Sequence, residues 1–441
     1  MSVKIKINWG NENVVSESVR IYRADSIFTP ASLPPLLTEI FGDIYEYEDL
    51  TVVENQTYFY MLSCLLGDQE VFTECYEVKV QSLPWVDTDA LIVNLDQLAL
   101  NNQATGVAAR STLGLSLSSS TKWQSLVLAK NGKIYSSISA TQGVLVIDPQ
   151  LNTAAVKFPA TPQGVSTNAG ILAPNGKIYY ASSSGNVVLV LNPETEIITT
   201  ITIPEASSYG WYGGALAKNG KIFFAPSGGS GVLIIDTLTE TAEISTFGLT
   251  FTESSSKYSG AVLAPNGKIY CVPSNHPSVL IIDPIANTAV LSDFGLPMVG
   301  DYKWSGGVLA HNSKIYCVPS SSADVLVIDA ANNTATRKTF SLNITGAFNW
   351  QGGALGIDGK IYCCPREAKN FLIINPVNET ATLSALSVNL SGTVKFIGAI
   401  LAPNGKIYYA PASSTNILTV SFSGLAPLGL KSCLSPHINK F

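Results

Sequence analysis

The feature that most constrains the fold is a short pattern that occurs seven times within residues 121–424. Each copy reads roughly small-small-apolar-Leu-Ala-x-Asn-Gly-Lys-Ile-aromatic, followed by a Ser/Pro-rich break and a second apolar run. The repeat lysines are Lys133, Lys177, Lys221, Lys268, Lys314, Lys360 and Lys406. A period of about 40–50 residues built from short apolar runs is typical of a β-propeller with one four-stranded blade per repeat. The sequence therefore predicts a seven-bladed β-propeller.

Four strands, named a to d in chain order, are predicted in each repeat. An Asn-Gly pair joins strand a to strand b in most copies, and we expect type I′ turns because this pair favours positive φ at both central positions. Strand c, for example residues 279–282, is apolar without alternation, which indicates a strand covered on both faces. The last repeat has no recognisable strand d. A strand from the other end of the array is expected to complete it, and residues 91–95 are the predicted candidate.

Residues 1–82 carry no copy of the repeat. Their short alternating runs, separated by turns, predict a small antiparallel sandwich. The strand around Tyr58 and Tyr60, the turn at Gly67 and the closing run 71–80 resemble a fibronectin type III domain. The predicted fold class is thus all-β, a small fibronectin III-like sandwich followed by the propeller at 121–424. Residues 83–120 are predicted to be a connector that is the candidate source of the closure strand, and residues 425–441 a C-terminal tail.

Composition narrows the function classes. Charged residues are only 13% of the 441 residues, against about 25% in an average protein. The net charge of −6 is too mild for nucleic acid or an anionic membrane to be the main partner. The sequence contains no run of about 18 apolar residues, so no membrane span is predicted. In residues 1–10, apolar and polar residues alternate as in a strand, so no signal peptide is predicted. Cys271, Cys317 and Cys363 share one repeat position and are predicted to be small buried residues in a reduced protein.

Two repeated positions are candidates for ligand binding. The residue ten before the repeat lysine is aromatic in six copies, and the residue eleven before it is a lysine in four. The candidate ligand-binding residues are Trp211, Tyr258, Trp304, Trp350, Lys257, Lys303 and Lys395. Aromatic faces with polar neighbours at the mouth of the central channel would suit sugars, whose C–H faces stack on rings. The alternative interpretation is that the aromatic side chains fill the wedge between adjacent blades.

The two faces of the predicted propeller differ. The a–b and c–d turns repeat closely, whereas the b–c and d–a loops vary, and binding residues concentrate on loops held by a rigid frame. The variable face is therefore the predicted ligand face. The repeat lysines receive a structural interpretation, because an Asp such as Asp236 or Asp329 stands fifteen residues later and would face the lysine across the b–c hairpin.

Catalysis finds little support in the sequence. No nucleophile elbow, phosphate loop or paired Cys/His set is present. None of His276, His311 and His437 pairs by sequence with a plausible nucleophile. No catalytic residue, metal site or cofactor is predicted, and the protein is expected not to be an enzyme.

The repeat resembles those of kelch-like and related seven-bladed propellers with an Asn-Gly-Lys-Ile-Tyr hairpin. Combined with the fibronectin-like module and low charge, the chain resembles fibre, collar or receptor-binding proteins of tailed bacteriophages. This resemblance implies a non-enzymatic virion protein that folds in the host cytoplasm. It implies attachment to other virion proteins through residues 1–82, a propeller face for host surface carbohydrate or protein, and a homo-oligomer. Two alternatives remain open, a bacterial adhesion or scaffold protein, which would leave a cytoplasmic location open, and a propeller hydrolase or lactonase.

Overall fold

The computed structural model describes residues 5–8, 18–41, 46–49, 56–66, 69–72, 76–79, 105–117, 122–158, 165–183, 185–207, 210–251 and 256–423. The chain divides into two compact units, Met1–Leu98 and Ala99–Phe441. The predicted tail at 425–441 and most of the predicted connector lie outside the described residues.

The first unit is built of antiparallel strands. They are β1 (Ile5–Asn8), β2 (Ser18–Ala24), β3 (Leu36–Phe41), β4 (Glu46–Asp49), β5 (Thr57–Leu66), β6 (Gln69–Phe72) and β7 (Tyr76–Lys79). One sheet has the order β3-β2-β5-β6, with β7 also pairing β5, and β1 pairs β4 separately. The buried carboxylate of Asp49 accepts hydrogen bonds from Arg23 (2.6 Å) and Tyr60 (2.8 Å). This unit is all-β, and its fibronectin III-like character stays a prediction.

The second unit contains seven four-stranded antiparallel sheets among its described residues, and we number these blades 1 to 7 in the order of the repeats. The a strands are β9 (Leu126–Leu128), β13 (Thr167–Leu172), β17 (Trp211–Leu216), β21 (Tyr258–Leu263), β25 (Trp304–Leu309), β29 (Trp350–Leu355) and β33 (Phe396–Leu401). The b strands are β10 (Ile134–Ser136), β14 (Ile178–Ser182), β18 (Lys221–Pro226), β22 (Ile269–Pro273), β26 (Lys314–Pro319), β30 (Ile361–Pro365) and β34 (Ile407–Pro411).

Strands c and d complete each blade. The c strands are β11 (Val144–Asp148), β15 (Gly185–Asn192), β19 (Val232–Asp236), β23 (Val279–Asp283), β27 (Val325–Asp329), β31 (Phe371–Asn375) and β35 (Ile417–Ser423). The d strands are β12 (Thr153–Lys157), β16 (Ile197–Ser207), β20 (Thr241–Ser245), β24 (Thr288–Ser292), β28 (Thr334–Lys338), β32 (Thr380–Ser384) and, for blade 7, β8 (Thr105–Ser111). Strands b and c of a blade are almost completely buried, whereas strand d is half-exposed, as in blade 5. The inner strands therefore present apolar side chains to the neighbouring blades.

The seven blades close into a ring. Each a strand contacts the a strand of the next blade, and β33 of blade 7 contacts β9 of blade 1. Seven buried apolar clusters each combine residues of two neighbouring blades, and the cluster of Trp123, Ile147 and Tyr408 joins blades 1 and 7. On the a–b side, the Asn404 amide of blade 7 donates to the Pro149 carbonyl oxygen of blade 1 (2.8 Å). The multi-bladed propeller fold predicted from the repeat is thus confirmed.

The strand that completes blade 7 is not the one expected. Strand β8 pairs along its whole length with β35, from Ile417 opposite Ser111 to Ser423 opposite Thr105. The prediction of residues 91–95, which lie outside the described residues, is therefore wrong. The closing strand comes from further along the same segment, at residues 105–111.

The a–b turns also differ from the expected type. In blade 1 the Gly132 N–H donates to the Ala129 carbonyl oxygen, and only Gly132 has positive φ (77°). The Asn131 side-chain oxygen accepts the Lys133 N–H (3.1 Å). A turn followed by one left-handed glycine is the three-residue hairpin with a bulge, so the type I′ prediction is wrong. The asparagine is used for its side-chain hydrogen bonds, not for its tolerance of positive φ.

A collar of glycines lets the a strands approach one another at the axis. Five consecutive blades have a glycine eight residues before the repeat lysine, all with positive φ: Gly213, Gly260, Gly306, Gly352 and Gly398. A Cβ atom added to Gly213 would lie 2.5 Å from the Cα of Gly260, and one added to Gly306 would lie 2.8 Å from the Cα of Gly352. Only glycine permits both this conformation and this backbone approach.

Candidate functional site

A layer of mostly polar side chains lies directly beside the glycine collar, and we call it the channel layer. Its members stand nine residues before the repeat lysines: Gln124, Asn168, Tyr212, Ser259, Ser305, Gln351 and Ile397. The Tyr212 hydroxyl donates to Gln124 Oε1 (3.3 Å), and Gln351 Nε2 donates to the Tyr212 hydroxyl. These bonds join blade 3 to blades 1 and 6, which are not its neighbours. Such bonds can form only across the axis of the ring, so Tyr212 spans the central channel.

The rest of the channel layer forms bonds between neighbours. The hydroxyl groups of Ser259 and Ser305 are 2.7 Å apart, and Asn168 donates to the Trp211 carbonyl oxygen (3.1 Å). Neither bond crosses the axis, since each joins adjacent blades. Tyr212 is therefore the member that organises the centre of the layer.

Burial in the channel raises the pKa of the Tyr212 phenol to about 12, whereas the Arg366 guanidinium and the hydrogen bond from Gln351 act in the opposite direction. Because the normal tyrosine pKa is about 10, the phenol is protonated at neutral pH and serves as a hydrogen-bond donor. A buried neutral phenol beside a cation can stabilise negative charge that develops on a ligand oxygen.

Arg366 supplies the cation next to Tyr212. It stands six residues after the repeat lysine, where five other copies have serine and blade 7 has Ala412. Its guanidinium lies over the Phe348 ring, with the Cζ atom 4.6 Å from the ring centroid. Arg366 therefore departs from the repeat at a position that in the other blades carries a small side chain.

Among the described residues, the buried polar atoms without a hydrogen-bond partner include Gln351 Oε1 in the channel layer, Ser125 Oγ next to that layer in sequence and Arg366 Nε in a b–c loop. The Tyr180 and Tyr409 hydroxyl groups, which pack between blades, are others. Nearly all buried polar groups in folded proteins are satisfied, and each exception calls for an explanation. A donor, an acceptor and a hydroxyl of this kind suit a polar organic group.

The predicted aromatic positions are buried between the blades. Trp211 and Trp304 are completely buried, as is Tyr258, and Trp350 is nearly so. Each indole donates its N–H to the carbonyl oxygen just before or at the start of strand c, as Trp304 does to Asp324 (2.8 Å). Trp211 and Trp350 make the equivalent bonds to Gly231 and Asn370. This geometry supports the wedge-filling interpretation of these side chains.

The predicted lysines are also buried and hold loops together. The Lys303 ammonium donates to the carbonyl oxygens of Ser274 (2.6 Å) and Gly300 (2.9 Å), and that of Lys395 donates to Gly392 (3.0 Å). Lys257 is almost completely buried at the same repeat position. The aromatic and lysine positions directly precede the channel-layer positions in each repeat and are buried. Lys395 differs from the others in that it lines a small cleft. Their ligand-binding role stays a prediction.

The repeat lysines and His276 occupy structural positions. Lys221 and Lys314 lie opposite Asp236 and Asp329 across the b–c hairpin, with N–O distances of 3.5 and 3.9 Å. This confirms the structural role predicted for the repeat lysines. His276 is buried in a b–c loop, where its Nδ1 accepts the Ser278 N–H (3.1 Å) and its ring stacks on Tyr258.

The predicted burial of the cysteines is confirmed. Cys271, Cys317 and Cys363 are completely buried free thiols, and burial raises the pKa of each of them. Over the described ranges, no three His, Cys, Asp or Glu side chains converge as metal ligands. The described part of the chain also has no helix with the length and apolar character needed to cross a membrane.

Sequence reasoning missed the channel layer because its members contact one another across the ring. Tyr212 and Gln351 are 139 residues apart, and no local motif links them. A usable signal did exist, since the position nine before the lysine varies from Ser to Gln to Tyr while its neighbours on both sides are nearly uniform. A variable column inside a uniform repeat marks positions that the fold does not dictate.

Comparison with known proteins gives a fold and no family. No protein-family model matches the chain, and no curated protein matches it. Among solved structures, a streptogramin B lyase is similar with a TM-score of 0.59 and 12% identity, covering 72% of this chain and 98% of that one. A catalytically inactive histidine-to-alanine variant of virginiamycin B lyase from Staphylococcus aureus with quinupristin gives 0.57 and 13%, with 72% and 99% covered.

Hydrazine synthase of Kuenenia stuttgartiensis is also similar, with a TM-score of 0.52, 14% identity and coverage of 71% of this chain and 99% of that chain. Similarity at these identities shows the propeller fold alone. It nevertheless corrects the functional prediction, because the similar propellers named here are enzymes. The expectation of a non-enzymatic protein of a phage virion, and with it the statement that the chain is not an enzyme, is contradicted.

The buried phenols predict a loss of stability at alkaline pH. Burial raises the pKa values of Tyr180, Tyr409 and Tyr212 above the usual value of about 10. Their contribution to stability is complete below about pH 10 and is lost as the pH rises towards the folded-state values. The buried thiols act in the same direction from about pH 8.5, the usual cysteine pKa, because burial raises their pKa values as well. We therefore expect the urea midpoint to begin to fall above about pH 8.5 and to fall more steeply above about pH 10. Urea unfolding with phenolate absorbance checks this, and ionisation of all tyrosines near pH 10 in the folded protein would contradict it.

Proposed function

We propose that the propeller is an enzyme of the hydrolase or lyase kind that acts on an ester or lactone group bound at the channel layer. The observation that carries this proposal is the bonding of Tyr212 to Gln124 and Gln351 across the axis, with the Arg366 guanidinium close enough to act on the phenol electrostatically. Tyr212 and Arg366 are each unique in their repeat positions. The fold needs neither of them there, because the other blades are built without them.

The hydrogen-bonding groups at the channel suit the reaction of an ester. The Tyr212 phenol and the Arg366 guanidinium are donors that would stabilise negative charge on the carbonyl oxygen as the ester C–O bond weakens. Gln351 Oε1 is a buried acceptor without a partner, and it suits an N–H or O–H group of the substrate. The layer otherwise offers neutral hydroxyl and amide groups, so a neutral polar substrate fits better than a highly charged one.

The comparisons support the choice of substrate class. Streptogramin B lyase and virginiamycin B lyase share the fold, and one of the similar structures contains quinupristin. Their reactions belong to those proteins. They make quinupristin a suitable compound to test beside the esters and lactones that a phenol and a cation would suit.

The first test is a substrate panel. The full chain is incubated with lactones, simple aryl esters and quinupristin, each with added Mg²⁺ and with chelator, and the products are analysed by mass spectrometry. With a cyclic ester, hydrolysis adds the mass of one water and elimination opens the ring without a change in mass. With an aryl ester, hydrolysis releases a separate acid and phenol. Turnover of at least one compound is expected, and a complete absence of turnover under both metal conditions would reject the proposal.

The second test is Tyr212→Phe in the full chain. Removing the hydroxyl is expected to lower kcat by about 10²–10⁴-fold, the usual contribution of a proton-donating side chain. Tyr302→Phe is the matched control, since Tyr302 is partly exposed in a loop before the a strand of blade 5 and should leave kcat unchanged. Equal activity of the two variants would contradict a role for Tyr212.

A further inference from the structure

A cleft between blades 6 and 7 lies beside the start of the blade 7 a strand and has its own charge pattern. It encloses about 150 Å³ and is lined by Arg110 on the closing strand, Lys395 just before the blade 7 a strand, and hydroxyl side chains of two loops. The hydroxyl residues are Ser391, Thr393, Ser413, Ser414 and Thr415. The Glu367 carboxylate attracts the Lys395 ammonium from outside this lining and accepts the Val394 N–H (2.9 Å). The lining itself contains cationic and hydroxyl groups and no carboxylate, which suits an anion.

Blade 5 contains an internal copy of the arginine in this cleft. Arg337 lies opposite Leu326 on strand c, as Arg110 lies opposite Leu418. Arg337 donates to the Pro297 carbonyl oxygen, and Arg110 donates to the equivalent carbonyl oxygen of Asn389 (3.2 Å). The two guanidinium groups are therefore held by the same backbone contact.

The two blades differ in what neutralises the arginine. In blade 5 the Asp324 carboxylate binds Arg337 through both Nε (2.9 Å) and Nη2 (2.7 Å). The position of Asp324 is occupied in blade 7 by Asn416, whose amide donates instead to the Thr415 hydroxyl (3.2 Å). Arg110 thus keeps the geometry of a salt-bridged arginine in a blade where the carboxylate has been replaced by an amide.

Lys395 strengthens the positive character of the cleft. In blade 5 the equivalent Lys303 donates to carbonyl oxygens of three residues, Ser274, His276 and Gly300. Lys395 donates to one, Gly392 (3.0 Å), which leaves its ammonium group with donor capacity to spare. An arginine and a lysine with unused donors therefore face the same small volume.

We propose that this cleft is a binding site for an oxyanion, a carboxylate, sulfate or phosphate group, that takes the place beside Arg110 which Asp324 takes beside Arg337. The guanidinium provides a fork of donors that matches such a group. The hydroxyl side chains of Thr393 and Ser413 provide further donors. The lining of the cleft does not include Tyr212, Gln351 or Arg366, although the Lys395 N–H donates to the Arg366 carbonyl oxygen (3.0 Å). The proposed anion site does not depend on the proposed reaction.

The test is isothermal titration of the full chain with phosphate, sulfate and acetate, in chloride buffer of matched ionic strength. We expect saturable one-to-one binding of at least one of them. Preference for phosphate or sulfate would identify a tetrahedral anion, and preference for acetate would identify a carboxylate. Absence of binding by all three would overturn the proposal.

Variants locate the site. Asn416→Asp restores the carboxylate found in blade 5 and should weaken anion binding about tenfold or more. Arg110→Gln should weaken it to a similar extent, and it serves as the test if the first variant does not fold. Arg337→Gln removes the arginine that is already neutralised and should bind as well as the original chain. Tyr212→Phe should also bind normally, which separates this site from the reaction centre. Unchanged affinity in both Asn416→Asp and Arg110→Gln would contradict the proposal.

Discussion

Gly306→Ala is expected to lower the free energy of unfolding by about 2–5 kcal/mol. Gly306 has φ of 81°, and its added Cβ would lie 2.8 Å from the Cα of Gly352 in the next blade. The left-handed conformation costs an alanine about 1–2 kcal/mol, and forcing two backbones apart adds roughly 1–3 kcal/mol. Because the a strands share one axis, this displacement cannot be absorbed in a single blade. Urea unfolding followed by tryptophan fluorescence measures the change.

Gly267→Ala is the matched control for this substitution. Gly267 has nearly the same φ, 80°, but it lies in an a–b turn and no atom comes within 4 Å of the added Cβ. Its cost should be confined to the backbone conformation, at about 1 kcal/mol. Similar losses in the two variants would show that the glycines at the axis serve conformation alone and that the a strands are not in close contact.

Ala109→Pro is expected to destabilise the ring by roughly 3 kcal/mol. Ala108 directs its N–H to the Leu386 carbonyl oxygen of blade 6, so the N–H of Ala109 points the other way, towards Thr419 on strand β35. Proline removes this ladder donor and introduces a ring that clashes with the paired strand. Since β8 is the strand that completes blade 7, the interfaces of blades 6, 7 and 1 should all weaken.

Hydrogen exchange of the full chain distinguishes closure of the ring from local packing. Ala109→Pro should reduce protection in β9 and β33, which are far from residue 109 in sequence. Ala109→Val keeps the N–H and an exposed side chain, and it should change stability by less than about 0.5 kcal/mol. Loss of protection limited to residues 105–111 in the proline variant would mean that β8 is an accessory strand and that the other six blades close without it.

The features of the fold that recur in every repeat could be predicted from the sequence. The period predicted the number of blades, and the uniform apolar runs predicted the buried c strands. The closing strand was missed because d strands are half-exposed and weakly patterned, so Thr105–Ser111 looked less like a strand than the apolar residues 91–95. The turn type was missed because Asn131 works through its side chain.

The candidate site could not be predicted in the same way, since it depends on differences between repeats. Tyr212 meets Gln124 and Gln351 only after the ring has closed. Arg366 stands in the b–c loop of blade 6, the blade of Gln351, and acts on the Tyr212 phenol of blade 3. The aromatic and lysine positions attracted attention because they recur, and recurrence in a propeller marks what the fold requires. The residues that deviate from the repeat are the ones that remain available for chemistry.

The most direct measurement is a crystal structure of the full-length Tyr212→Phe variant with the ester or lactone that the original chain converts. The account predicts the ester group of the ligand at the centre of the ring, within hydrogen-bond distance of Arg366 and Gln351 and beside position 212. A ligand bound on the outer rim, or on the face that carries the a–b turns, would contradict it.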